Sequence, residues 1–117
     1  MFEHTLSDLL AACPGARGAA IVDPDGIPLA FAPEEDPALE VLGAELSSIL
    51  RDIEQAGREL EHGPLHQLSV SAEGATVVVT TTGGGYFIVL VLSPDGVIGK
   101  ARFLSRLAGE RLYSEFI

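Results

Sequence analysis

The chain has no tryptophan, one lysine and a single cysteine among its 117 residues. One cysteine, Cys13, excludes an internal disulfide and fits a reducing compartment. A nucleophilic thiol needs a positioned base, and none can be named beside Cys13, so it reads as a small residue of the core or of a helix end. Long apolar runs are absent too. The longest, Tyr86 to Leu92, is far too short to cross a bilayer. Met1-Phe2-Glu3-His4 carries no basic region followed by an apolar one, so no secretory signal is expected. These readings predict a soluble, cytoplasmic protein. Basic side chains are scarce: 7 Lys and Arg stand against 17 Asp and Glu, for a net charge of -10. That balance opposes binding to nucleic acid or to an anionic membrane through the general surface.

Hydrophobic residues make up 47% of the chain, so it can bury a core without staples. No repeat, linker or low-complexity tract interrupts it, which predicts one domain over residues 1–117. The charge is unevenly spread. Residues 1–96 sum to -12, whereas Lys100, Arg102, Arg106 and Arg111 give residues 97–117 a sum of +2. That stretch reads as a solvated helix face, with a patch for an acidic partner as the alternative.

Leu6, Leu9 and Leu10 share one face of a short helix from Thr5 to Ala12, with Thr5 or Ser7 as a cap, ended by Cys13-Pro14-Gly15. Arg17 to Val22 reads as a strand, Asp23-Pro24-Asp25-Gly26 as a β-turn, and Ile27 to Phe31 as the return strand, with Ile27, Leu29 and Phe31 alternating. Pro28 lacks an N–H, so that return strand should lie at an edge or point this position outward. An acidic loop, Ala32 to Asp36, precedes the longest element, a helix from Pro37 to His62 stopped by Gly63-Pro64. Its apolar stripe runs through Leu39, Leu42, Leu46, Ile49, Ile53, Ala56 and Leu60. Three strands follow, Leu65 to Ala72, Thr76 to Thr82 and Tyr86 to Leu92, turned by Glu73-Gly74 and Gly83-Gly84-Gly85. The last is apolar at every position, so it should be central and covered on both faces. Pro94-Asp95-Gly96 leads into a final helix from Val97 to Glu115, with Val97, Ala101, Leu104, Ala108 and Leu112 along one side. The fold class is α+β: a five-stranded antiparallel sheet with helices packed on it, in the order α-β-β-α-β-β-β-α.

Several fragments imitate chemical motifs. Gly96-Val97-Ile98-Gly99-Lys100 lies between strand and helix, but a phosphate loop needs glycine where Pro94 stands and Ser or Thr where Ala101 stands. Gly83-Gly84-Gly85 leads into a strand, which a dinucleotide fingerprint does not. Asp23-Pro24-Asp25-Gly26 lacks the later ligands of a calcium loop. His62 and His66 are four apart, but Gly63-Pro64 breaks the helix that would put them on one face for zinc. No Ser, His and acid form a recognisable nucleophile motif. No catalytic residue, cofactor or metal is expected.

The surface pattern is more informative. Opposite the long helix's apolar stripe lie Glu40, Ala44, Ser47, Ser48, Arg51, Gln55 and Arg58. This face is either solvated or a docking face, and Ala44, Ser47 and Ser48 are small enough to admit another helix. The Leu65 to Ala72 strand has no bulge signal or lysine to guard it, so it is a candidate free edge. Pairing of two copies there would give a two-fold dimer with the long helices side by side, and an interface at Ala44, Ser48, Leu68 and Val70.

The stretch Pro14-Gly15-Ala16-Arg17-Gly18-Ala19-Ala20-Ile21-Val22-Asp23-Pro24-Asp25-Gly26-Ile27-Pro28-Leu29-Ala30 resembles the opening hairpin of roadblock (dynein light chain type) domains. Gly85-Tyr86-Phe87-Ile88-Val89-Leu90-Val91-Leu92, followed by Gly96 and a helix start containing Gly99, is similar to that family's last strand and closing helix. The resemblance implies a homodimer formed through the long helix and the neighbouring central strand. It also implies a platform or regulator for small Ras-like GTPases, or a subunit of motor complexes. The Ala-, Gly-, Leu- and Arg-rich composition reads as bacterial, which points to the MglB type. Members of that type promote GTP hydrolysis by reshaping the GTPase, so Arg51 and Arg58 are not read as arginine fingers. The leading expectation is a non-catalytic GTPase regulator whose partner face is Glu40, Ser47, Arg51, Gln55 and Arg58. A structural adaptor without GTPase contact and a small-ligand sensor are the alternatives.

Overall fold

A computed structural model describes residues 2–116, with side chains to residue 114. Its elements are α1 (Phe2–Ala12), β1 (Ala16–Val22), β2 (Pro28–Ala32), α2 (Pro37–Glu59), β3 (Gln67–Ser71), β4 (Thr76–Gly83), β5 (Tyr86–Leu92) and α3 (Ile98–Phe116). The strands form one antiparallel sheet in the order β2-β1-β5-β4-β3. The fold class and the element order are those expected.

The chain's last strand is the middle of the sheet, and it is apolar at every position. Ile88, Leu90 and Leu92 point to one side, where they meet Leu6 and Leu9 of α1 and Ala101 and Leu112 of α3. Phe87 and Val89 point to the other, where Leu39, Leu46 and Leu50 of α2 cover them. The molecule is thus three layers: α1 and α3, the sheet, and α2.

The boundaries teach more than the agreement. α1 begins at Phe2, so Thr5 and Ser7 lie inside the helix and cap nothing; Thr5 is buried. β2 begins at Pro28, which lacks an N–H and starts an edge strand without loss. Its inward residues are Ala30 and Ala32, while Ile27 and Leu29 are exposed. Small side chains there let α1 lie close over the edge. α2 opens as expected: Pro37 occupies its first turn, and the Asp36 carboxylate accepts from Ala38 N at 2.9 Å. It ends at Glu59, three residues early, because Glu61 takes a left-handed conformation (φ 60). His62 N then donates to Gly57 O at 2.8 Å, satisfying an end carbonyl.

The buried stripe of α2 is also rotated from the expected one. Its buried residues are Leu39, Gly43, Leu46, Ser47 and Leu50. Ile49, Ala56 and Leu60 are exposed. The cause is a close approach to β1. A Cβ on Gly43 would lie 3.2 Å from Val22 Cγ2, and one on Gly26, in the β1–β2 turn, 3.1 Å from Ala44 Cα. Ser47 Oγ donates to Pro24 O at 3.2 Å in the same turn. Glycine and serine are buried here by geometry, and apolar spacing does not mark them.

Candidate functional site

The β1–β2 turn anchors the face of α2 singled out from the sequence. Asp23 Oδ1 accepts from Asp25 N and Ile27 N, both at 2.9 Å, so this carboxylate shapes its own turn. Pro24 O, presented by that turn, accepts from Arg51 Nη1 at 3.2 Å as well as from Ser47. Arg51 Nη1 also donates to Ser47 Oγ at 3.2 Å. One turn on, Arg58 Nη2 donates to Gln55 Oε1 at 2.7 Å, and Gln55 Nε2 donates to Glu59 Oε1 at 3.2 Å. Glu40, Arg51, Gln55 and Arg58 are therefore together on one exposed face. Ser47 is not: it is 4% exposed and lies under Arg51. Its expected place on the outer surface is corrected.

β3 is an end strand of the sheet, and β2 is the other. Leu68 pairs with Val79 and Val70 with Val77, which puts both on the α2 side. α2 sits over β1, so it leaves this side incompletely covered. Leu68, Val77 and Val91 are half-buried, and Val70 is 45% exposed. The α2 flank nearest this uncovered face carries Leu42, which packs into the same core, and by helical spacing Ile49 and Ile53. Ile49 is 45% exposed. Ala44 and Ser48 are exposed too, and by helical spacing they stand on the side of α2 away from Leu42 and Ile49. The alternation in β3 signalled Leu68 and Val70; Ile49 was assigned to the intramolecular stripe and was missed as surface.

A groove of about 910 Å³ lies where α2 ends, lined by His62, His66, Thr82, Arg102, Arg106 and Tyr113 among others. Among the described residues no three His, Cys, Asp or Glu side chains gather as metal ligands. The Gly96–Lys100 stretch holds no open phosphate cradle. A Cβ on Gly15 would sit 2.7 Å from Gly96 Cα, and Ser93 N donates to Gly15 O at 2.8 Å, so backbone fills the space. Ser93 Oγ donates to Asp95 at 2.7 Å and holds that carboxyl below its ordinary range. Cys13 is buried, and burial pushes its thiol up.

The Roadblock/LC7 domain model matches residues 3–100. The chain belongs to the Roadblock/LC7 family. Solved structures agree with the fold. A Roadblock/LC7 domain from Streptomyces avermitilis is 15% identical, with a TM-score of 0.89, covering 97% of this chain and 96% of that one. An MglB with a tetrameric arrangement is 24% identical, with a TM-score of 0.84 and coverage of 95% and 84%. MglC from Myxococcus xanthus is 26% identical, with a TM-score of 0.68 and coverage of 96% of both chains. No curated sequence matches the chain significantly. Among the described residues of this Roadblock/LC7 chain, no helix is long and apolar enough to cross a membrane.

Proposed function

We propose that this Roadblock/LC7 chain is a cytoplasmic homodimer that regulates a small Ras-like GTPase without catalysing a reaction itself. One observation carries the self-association: the α2 side of β3 and β4 is apolar and uncovered at the sheet's end, beside an equally apolar flank of α2. Two copies related by a two-fold axis would pair their β3 strands and lay α2 over each other's half-buried Leu68 and exposed Val70. Ala44 and Ser48 would lie at the rim of that contact, on the outer side of α2. The tetrameric arrangement of a similar MglB supports self-association.

The GTPase would bind the outer face of α2 through Glu40, Arg51, Gln55 and Arg58, with Ser47 setting the pose of Arg51. Arg51 already donates to Pro24 O, and Arg58 to Gln55. Both arginines already have partners within the chain, so reshaping of the GTPase is proposed in place of donation of a charge.

Light scattering after size exclusion tests the dimer. The native chain should weigh twice its 12.3 kDa. Val70→Asp should weigh 12.3 kDa with an unchanged circular dichroism spectrum, because Val70 is 45% exposed within one copy. A folded native monomer would sink the dimer. A pulldown with a small Ras-like GTPase, loaded with GTP analogue or GDP, tests the regulator. Equal retention in both states would leave a structural adaptor.

A further inference from the structure

On the outer layer, away from α2, the apolar side of α3 is already accounted for: Ala101, Ser105, Ala108 and Leu112 are turned onto the sheet. Two large apolar side chains point the other way. Phe103 is 58% exposed and Leu107 is 42% exposed, one turn apart on the same line of the helix. Gly99, one turn before Phe103, has nothing within 4 Å of where a Cβ would stand, so the line begins at open surface. Lys100 flanks it on one side, and Arg102 and Arg106 on the other. Those three cations make no ion pair among the described residues, whereas Arg111 is tied to Asp8 at 3.7 Å. Single exposed apolar residues are ordinary. A Phe-Leu row with unpaired cations on both sides, in a chain of net charge -10, is less ordinary; exposed Glu110 closes the row one turn after Leu107.

We infer that the outer face of α3 docks an acidic amphipathic helix of a partner protein. The partner's apolar residues, spaced three and four apart, pack on Phe103 and Leu107 in a helix-on-helix contact. Its flanking carboxylates meet Lys100 on one side and Arg102 and Arg106 on the other. The charge argument favours a peptide over an anionic membrane. A peptide meets only the local patch within a Debye length of about 8 Å, whereas a membrane surface faces the whole -10 chain. Because α2 lies on the opposite face of the sheet, this site is independent of the dimer and the GTPase face. It equips the domain to connect two partners.

The test is fluorescence anisotropy with the full chain and a labelled synthetic helix bearing Leu at three–four spacing and Glu on both flanks. A peptide of the same composition, scrambled to lose its apolar face, is the control. We expect saturable binding of the patterned peptide only. Phe103→Ser and Arg106→Glu should each weaken it about tenfold or more, and added salt should weaken it further. Both side chains are exposed, so circular dichroism and melting should confirm intact folds. No saturable binding, equal binding of the scrambled peptide, or binding unchanged in both variants would overturn the inference. So would binding to phosphatidylserine vesicles without binding to the peptide, which would make the row a membrane surface.

Discussion

The seating of α2 on β1 can be weighed with one substitution made at two places. Gly43 and Gly57 both lie within α2. Glycine inside a helix costs about 1 kcal/mol relative to alanine, so Gly→Ala carries the same local gain at each. The surroundings differ. At Gly57 the new methyl would meet only Gly63 O, at 3.4 Å, an ordinary contact. At Gly43 it would meet Val22 Cγ2 at 3.2 Å and Cγ1 at 3.6 Å, and Val22 is fully buried. Overpacking a tight core typically costs about 1–3 kcal/mol. Gly57→Ala should therefore stabilise by about 0.5–1 kcal/mol. Gly43→Ala should range from neutral to about 2 kcal/mol destabilising, since the propensity gain offsets only part of the clash. Urea unfolding at several protein concentrations separates folding from any dimer linkage. Val22→Ala should cost less in the Gly43→Ala background than in the native chain, a coupling that a double-mutant cycle measures directly. Equal stabilisation at both glycines, with no coupling to Val22, would refute the close seating and the rotated stripe that follows from it.

Other outcomes follow from single contacts. Asp36→Ala removes the carboxylate that accepts from Ala38 N and should lower stability by about 1 kcal/mol, read from the shift in urea midpoint, with Asn largely restoring it. Cys13 should react slowly with a thiol reagent in the native state and at the ordinary rate in urea, because its buried thiol is held protonated. The sign for stability follows: the folded pKa is raised, so this contribution is full below the ordinary thiol range and is lost as pH climbs through the folded value. Stability that rose with pH across that alkaline window, after correction with Cys13→Ala, would contradict the burial.

Much of the architecture is legible in the residues because local and global preferences agree. Tyr86–Leu92 is apolar throughout, and only the middle of a covered sheet accommodates that. Gly83, Gly84 and Gly85 all take positive φ, as a tight hairpin demands. The face of α2 was harder. Leu39, Leu46 and Leu50 define its buried side, but Ile49 extends the same three–four spacing onto the surface. Spacing alone does not distinguish the two. Ser47 was misplaced because its burial depends on the Pro24 carbonyl, twenty-three residues away. Phe103 and Leu107 were passed over because Ala101, Leu104, Ala108 and Leu112 already explained why α3 forms. The edge position of β3 matches the unguarded Leu65–Ala72 stretch, though Leu65 and His66 stop short of the strand and are held to Thr81.

The position of β5 also governs how the molecule must be assembled in time. Two hairpins form locally, β1 with β2 and β3 with β4, and within the sheet only the strand made last of the five pairs with both. Its pairing with β1 brings Ala19 to Leu90, a closure across most of the chain. Such non-local closure is what slows folding, since its entropy is lost before the contacts form. Until Phe87 and Val89 are made, the apolar face of α2 lacks part of the surface that covers it in the folded domain. The domain gains cooperativity in one late event, and any truncation before Tyr86 leaves two unconnected hairpins rather than a smaller version of the fold.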